Sequence, residues 1–82
     1  MKIVAAGNTE IPCFLTLEKQ GWNVSKEAGL SENDSWLAIK GEVKIIADSL
    51  TELLGLVAMF QDRGISWQAT DVEIDEFIVR YC

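Results

Sequence analysis

Histidine is absent from this sequence of 82 residues, and its absence removes several kinds of chemistry. Imidazole is the commonest general base, the usual group that activates a serine or cysteine nucleophile, and the usual ligand of transition metals. Familiar serine and cysteine hydrolysis is therefore excluded. Carboxylates are plentiful, but their spacing does not indicate the converging pair that acid and base catalysis needs. The sequence predicts a protein that is not an enzyme, with no catalytic residue, no metal site and no cofactor.

Cysteines and long apolar runs are also scarce. Cys13 and Cys82 are the only two cysteines, and they belong neither to a C-x-x-C pair nor to a dense disulfide framework. A bridge between them is one alternative; the simpler one is two free thiols in a reducing compartment, with Cys13 buried as a small hydrophobic residue. No apolar run approaches the roughly 20 residues that cross a bilayer, and the N-terminus lacks the basic flank and cleavage site of a signal peptide. We therefore expect a cytoplasmic, bacterial-type protein that does not bind membranes.

Basic residues are the third scarcity. Seven Lys and Arg stand against thirteen Asp and Glu, and the formal net charge is −6. The imbalance is concentrated in residues 42–82, where eight acids and three bases leave −5. A field of this sign repels phosphate backbones, so nucleic acid is not an expected partner. Two interpretations of the negative charge remain open. It can simply keep the protein soluble, or it can attract a basic partner protein.

Hydrophobic periodicity indicates one α+β domain that spans residues 1–82. Strands are predicted for the four segments that are apolar or alternate between apolar and polar residues, namely 2–6, 22–26, 35–39 and 42–47. Lys40-Gly41 is the expected two-residue turn between the last two strands, and it would place Ala38 opposite Val43.

Three helices are predicted, and two of them begin at a capping box, in which a hydroxyl residue and a glutamate three positions later satisfy each other's backbone N–H groups. The boxes are Ser49 to Glu52, before an apolar helix over 49–63, and Thr70 to Glu73, before an amphipathic helix over 70–81. The first helix is expected over 10–20 with Thr9 as its cap; the alternative is a strand over 14–19. Residues 28–34 are expected to form a polar loop. We expect the last two helices to pack on each other.

The expected order is β-α-β-β-β-α-α, a two-layer sandwich with a four-stranded mixed sheet and the helices mainly on one face. The first β-α-β would be a right-handed crossover, and the remaining strands would follow as a meander. The second face of the sheet would then expose Leu37, Ile39 and Ile46 to water. This partly apolar face is the candidate face for a homodimer.

The densest cluster of charge opens the last helix, where four acids lie within six residues. It lacks the obligatory glycine and the alternating oxygen ligands of an EF-hand loop. In one interpretation the acids only complement the positive end of the helix. In the other they form an acidic patch, bordered by a tryptophan, that meets a basic protein. The candidate partner-binding residues are Asp62, Trp67, Asp71, Glu73, Asp75 and Glu76.

Three hypotheses for function follow. The leading one is a small acidic, non-enzymatic protein-binding domain, an inhibitor of the immunity-protein or antitoxin type that occludes a basic partner surface. The second is a self-associating structural or regulatory accessory module. The third is a small-molecule carrier or enzyme with a pocket between Trp36, Met59 and Trp67.

Overall fold

The computed structural model of the protein describes residues 1–27 and 35–82. The polar loop expected over residues 28–34 lies outside these described residues. The elements are α1 (Glu10–Lys19), β1 (Asn23–Glu27), β2 (Ser35–Lys40), β3 (Val43–Ala47), α2 (Leu50–Arg63), a short 3₁₀ helix (Gly64–Ser66) and α3 (Asp71–Tyr81).

The sheet of the described residues has three strands in the order β1-β2-β3, and both pairings are antiparallel. The prediction of a four-stranded mixed sheet in the order β-α-β-β-β-α-α is therefore wrong. Residues 2–6 belong to no strand, and Ile3 and Val4 are 86% and 71% exposed. The apolar residues of this segment favour a strand. A strand also needs the edge of another strand to pair with, and residues 2–6 pair with no strand of the described sheet.

The turn between β2 and β3 lies one residue later than predicted. Gly41 has φ +60°, and the two residues between the strands are Gly41 and Glu42. A glycine with positive φ at the first central position is typical of the type II′ turn, whose twist suits a hairpin. Ala38 therefore pairs with Ile45 instead of Val43. The register differs by two residues from the prediction, so each side chain keeps its face.

The core lies between one face of the sheet and the helices α1 and α2. Leu17, Leu53 and Val57 are fully buried there. Cys13 and Trp22 are 4% exposed, which agrees with the expectation of a buried cysteine. The core cluster consists of Cys13, Leu17, Trp22, Ala38, Ala47, Leu50, Leu53 and Val57. The indole N–H of Trp22 has no hydrogen-bond partner among the described residues.

Helix α1 settles the open alternative for residues 10–20, because this segment is helical over Glu10–Lys19. Thr9 does not cap it as expected, since its hydroxyl donates to the carbonyl of Ala6 at 2.6 Å instead. The carboxylate of Glu10 accepts bonds from the backbone N–H and the hydroxyl of Thr51, at 2.7 and 2.9 Å. These donors lie in the first turn of α2, where backbone N–H groups have no partner within the helix. Glu10 therefore ties α1 to α2.

Helix α2 begins after Ser49 as predicted, and the Ser49 side chain accepts from the backbone N–H of Glu52 at 3.1 Å. The predicted capping box is only half formed in the described structure, because the Glu52 carboxylate does not accept from the backbone N–H of Ser49. Its buried residues are Leu50, Leu53 and Val57. A glycine inside a helix often marks a close approach of another backbone, but a Cβ atom at Gly55 would meet nothing within 4 Å. Gly55 is therefore not required by a close approach of any described residue.

Helix α3 stands apart from this core. None of its residues is buried, so the expectation that it packs closely on α2 is wrong. Its apolar side chains are 44–86% exposed. They are Val72, Ile74, Phe77, Ile78, Val79 and Tyr81.

The molecule is consequently open in shape. Its accessible surface is 6685 Å², whereas a compact monomer of 9.1 kDa exposes about 4,900 Å². Its radius of gyration is 14.9 Å, whereas a chain of this length typically packs to about 12 Å.

Candidate protein-binding site

The capping box at the start of α3 also holds an arginine. The Thr70 hydroxyl accepts from the backbone N–H of Glu73 at 3.2 Å, and the Glu73 carboxylate accepts from the backbone N–H of Thr70 at 2.9 Å. The same carboxylate oxygen accepts from the Arg63 guanidinium at 2.8 Å. Glu73 thus links the last residue of α2 to the first turn of α3.

These donors change the ionisation of both side chains. The Arg63 hydrogen bond, followed by the backbone N–H of Thr70, lowers the pKa of Glu73 from 4.5 to about 2. The hydrogen bond to Glu73, followed by its charge, raises the pKa of Arg63. Because the two side chains are 38% and 43% exposed, solvent screens the pair. Glu73 is therefore occupied in holding the helix start, and it is less available to a partner than the other acids of α3.

An apolar groove separates α3 from α2. Its volume is about 670 Å³, and the Arg63–Glu73 ion pair lies at one side of it. Met59 and Trp67 belong to the α2 side and its connection, and Ile74 and Phe77 to α3. A groove of this size with a few charged groups at its rim is typical of a binding site. Its full lining is Met59, Arg63, Trp67, Ala69, Glu73, Ile74 and Phe77.

The apolar side of α3 extends beyond the groove. Ile74, Phe77 and Tyr81 are 44%, 61% and 67% exposed, and the rings of Phe77 and Tyr81 lie 5.0 Å apart between centroids. An isolated helix of eleven residues is marginally stable in water, and most helices in proteins gain stability by packing an apolar face. The apolar face of α3 has no such cover among the described residues.

The predicted acidic patch is only partly brought together. Glu73 and Trp67 share the groove, and Trp67 is half-buried. Asp75 and Glu76 line a shallow depression together with Val79 and Arg80. All four residues belong to α3, so α2 does not contribute to this depression. Asp62 and Asp71 are exposed, the first near the end of α2 and the second at the start of α3. The acids therefore flank the apolar side of α3 and do not form one compact cluster.

The candidate dimer face is less apolar than expected. Leu37, Ile39 and Ile46 lie on the sheet face opposite the helices, because Leu37 pairs with Ile46 and Ile39 with Lys44. Leu37 is only 9% exposed, whereas Ile39 and Ile46 are 38% and 51% exposed. The face therefore offers two exposed isoleucines with Lys44 beside them.

The small-molecule pocket expected between three side chains is not formed. Met59 and Trp67 share the groove beside α3, but Trp36 belongs to β2, packs against the core and lies beneath the ammonium of Lys26. Cys13 is buried and Cys82 is exposed, and both are free thiols.

Comparison of the chain with protein-family models, curated proteins and solved structures found no match. Within residues 1–27 and 35–82, no group of three or more His, Cys, Asp or Glu side chains is placed to hold a metal ion. No helix of the described segments has both the length and the apolar character needed to span a membrane.

Sequence reasoning missed two surfaces. The first is the exposed face of α3, whose periodicity predicts packing on the preceding helix. The second is the open edge of β3, which lies beside a further apolar groove lined by Ile65, Phe60 and Trp67. The sequence does not signal that either surface is uncovered, because periodicity shows that a face is apolar and does not show what covers it.

Proposed function

We propose that this chain is a small, non-enzymatic protein-binding domain of the cytoplasm that occludes a basic surface of a partner protein, in the manner of an immunity protein or antitoxin. The observation that carries the proposal is helix α3, which presents an apolar face to solvent and carries exposed acids beside it.

The apolar face supplies the affinity in this proposal. Ile74, Phe77 and Tyr81 follow the spacing by which an amphipathic helix enters a hydrophobic groove of a partner. Phe77 and Tyr81 are aromatic residues of the kind that supplies anchors at interfaces. A helix that stays exposed on every residue gains most from such a partner, because burial of its apolar side removes unfavourable contact with water.

The exposed acids supply the choice of partner. Asp71, Asp75 and Glu76 remain available, whereas Glu73 is bound by Arg63 and Thr70. A basic partner surface would complement these carboxylates and would associate faster through electrostatic steering. The absence of histidine favours occlusion over catalysis as the mode of action.

The test is a charge reversal on α3 that spares the helix start. We expect Asp71→Lys, Asp75→Lys and Glu76→Lys together to leave the core folded and to abolish capture of a basic protein from the native host. Glu73 is kept, because its loss would break the capping box and confuse unfolding with loss of binding. Capture on immobilised protein, followed by affinity measurement with the captured protein, checks the result.

A control with the same net charge makes this test specific. Glu18, Glu27 and Glu42 are exposed carboxylates on other elements, and their replacement by Lys changes the total charge equally. The proposal expects capture to persist in this control, with a weaker dependence on salt than in wild type. Equal loss of binding in both variants, or no loss in either, would contradict a site on α3.

A self-associating module is the second candidate, and the excess surface of the chain favours it. An exposed Ile39 and Ile46 are consistent with the sheet face as its contact. Substitution of Ile39 by Glu, followed by light scattering, checks that surface: a dimer that persists in the variant excludes it.

A further inference from the structure

Within residues 1–27 and 35–82, the edge of β3 that faces away from β2 carries backbone groups without a hydrogen-bond partner. The order β1-β2-β3 places β3 at one edge of the sheet. Lys40 and Val43 close the two-residue turn, so they form a hydrogen-bonded pair. Hydrogen-bonded and non-hydrogen-bonded pairs alternate along an antiparallel ladder, so the N–H and C=O groups of Lys44 and Ile46 point away from β2. No described residue outside β2 and β3 forms a backbone hydrogen bond with this edge.

An open apolar groove runs beside this edge. We call it the β3 edge groove; its volume is about 350 Å³, and Lys44 is its one charged lining residue. Ile65 on its far side is 91% exposed. The groove is lined by Val43, Lys44, Ile45, Ile46, Leu56, Phe60, Ile65 and Trp67.

The two edges of the sheet differ in chemistry. The other edge strand, β1, has the sequence Asn-Val-Ser-Lys-Glu, whereas β3 has Val-Lys-Ile-Ile-Ala. Charged and polar residues on an edge strand discourage pairing with another chain, and an apolar edge invites it. The β3 edge is therefore the edge that is suited to accept a further strand.

The chain itself supplies a segment with the matching properties. Residues 2–6, the N-terminal segment, are apolar after Lys2, and their two strand-forming residues, Ile3 and Val4, are 86% and 71% exposed. The hydroxyl of Thr9 bonds the carbonyl of Ala6 and fixes the chain just before α1. The segment ahead of this bond pairs with nothing in the described residues, and its five residues match the length of β3.

Surface area points to a second copy as the source of the added strand. The chain exposes about 1,800 Å² more than a compact monomer of its mass, and a stable interface of standard size needs about 800 Å² from each partner.

We propose that residues 2–6 of a second copy of this chain add as a strand to the free edge of β3, with Val4 in the β3 edge groove and Ile3 on the opposite face of the sheet. The exchange is reciprocal, since a two-fold axis places the same segment of each copy on the edge of the other. The β3 edge groove contains no residue of α3 and shares only Trp67 with the groove beside α3, so the two proposals can fail independently.

The first experiment measures the mass in solution by sedimentation equilibrium. We expect the wild-type chain to have twice the 9.1 kDa of one chain. Val4→Asp should halve the mass, because a carboxylate cannot enter an apolar groove without losing its hydration. Leu15→Asp is the matched control, since Leu15 is an aliphatic residue that is 58% exposed on α1. A monomeric wild type, or equal effects of the two substitutions, would overturn the proposal.

A second variant tests the edge itself. Ile46→Pro removes a backbone N–H that points away from β2, so the β2–β3 ladder keeps its hydrogen bonds. We expect the mass to be halved while the circular dichroism spectrum keeps its strand and helix signals. A variant that folds and remains dimeric would exclude the β3 edge as the contact.

Cross-linking identifies which chain supplies the strand. In a Cys82→Ser background, which removes the exposed thiol, a chain with Ile3→Cys is mixed with a chain with Ile46→Cys, since both side chains would lie on the sheet face opposite the helices. We expect a disulfide between the two chains under mild oxidation. A mixture that forms no disulfide would refute exchange between copies. A single chain that carries both cysteines and forms the disulfide within itself would refute it as well.

Discussion

At the scale of single residues, Glu73 shows how one carboxylate can be committed to structure within an acidic surface. It accepts hydrogen bonds from Arg63 and from the backbone of Thr70, and its own backbone N–H is bonded by the Thr70 hydroxyl. The neighbouring Asp71 and Glu76 have no such set of donors among the described residues. Four acids that are equivalent in the sequence therefore have different roles in the structure.

The depressed pKa of Glu73 predicts how the start of α3 responds to pH. Since the folded pKa of about 2 lies below the ordinary value of 4.5, the contribution of Glu73 is fully present above pH 4.5 and is lost as the pH falls towards 2. We expect the ¹³Cα chemical shifts of residues 71–76 to lose helical character over that interval. Titration followed by NMR checks this expectation.

The control for this titration is Glu73→Gln. A glutamine side chain can still accept the Thr70 hydrogen bond of the capping box but does not titrate. The variant should show a shallower dependence between pH 4.5 and 2, because it lacks the carboxylate whose pKa is lowered there. Identical profiles for the variant and wild type would show that Glu73 does not control the helix start.

At the scale of elements, α2 and α3 begin with similar chemistry and have different surroundings. Ser49 caps α2 and Thr70 caps α3, each by accepting from a backbone N–H three residues later. Helix α2 then buries Leu53 and Val57 completely, whereas α3 buries no residue. Capping fixes where a helix begins, and packing decides how much that helix contributes to the stability of the molecule.

This contrast predicts different consequences for the same loss of a cap. Ser49→Ala should lower the free energy of unfolding by about 1 kcal/mol, because α2 unfolds with the core. Thr70→Ala should leave that free energy nearly unchanged and should increase amide exchange within α3 alone. Urea denaturation together with hydrogen exchange measures both. An equal loss of stability in the two variants would place α3 in the cooperative core.

At the scale of the whole molecule, the chain is too open to resemble a compact monomer of its mass. The radius of gyration of 14.9 Å and the surface of 6685 Å² both arise while two apolar segments, residues 2–6 and α3, remain uncovered. A domain of this size has a small hydrophobic core and is marginally stable. Burial of these two segments against another protein would therefore add substantially to its stability. Association is thus the physical expectation for both surfaces.

Association predicts that thermal stability depends on protein concentration. If the native state is a dimer, a tenfold rise in concentration should raise Tm by about 4 °C for a chain of this length. Val4→Asp should remove this dependence, and Leu15→Asp should keep it. Differential scanning calorimetry over a concentration series provides the measurement. A constant Tm for wild type would contradict a folded dimer.

Much of the local structure followed from the sequence. The starts of α2 and α3, the strands around Ala38 and Ile45 and the burial of Cys13 were anticipated, because capping residues, alternation and residue size act over a few neighbouring positions. The turn was predicted at Lys40-Gly41 and lies at Gly41-Glu42, one residue later. Lys-Gly is a weak turn signal, and it did not distinguish between these two positions. The candidate acids were found as a group, but the special position of Glu73 was not.

The sequence by itself determined which segments prefer helix or strand, which faces are apolar, and the negative charge of the chain. Only the tertiary structure decided that residues 2–6 form no strand within the chain, that α3 lies open, and that Arg63 binds Glu73. The reason is that periodicity and capping report preferences of neighbouring residues, whereas pairing and burial depend on segments that are distant in the chain and meet only in the fold.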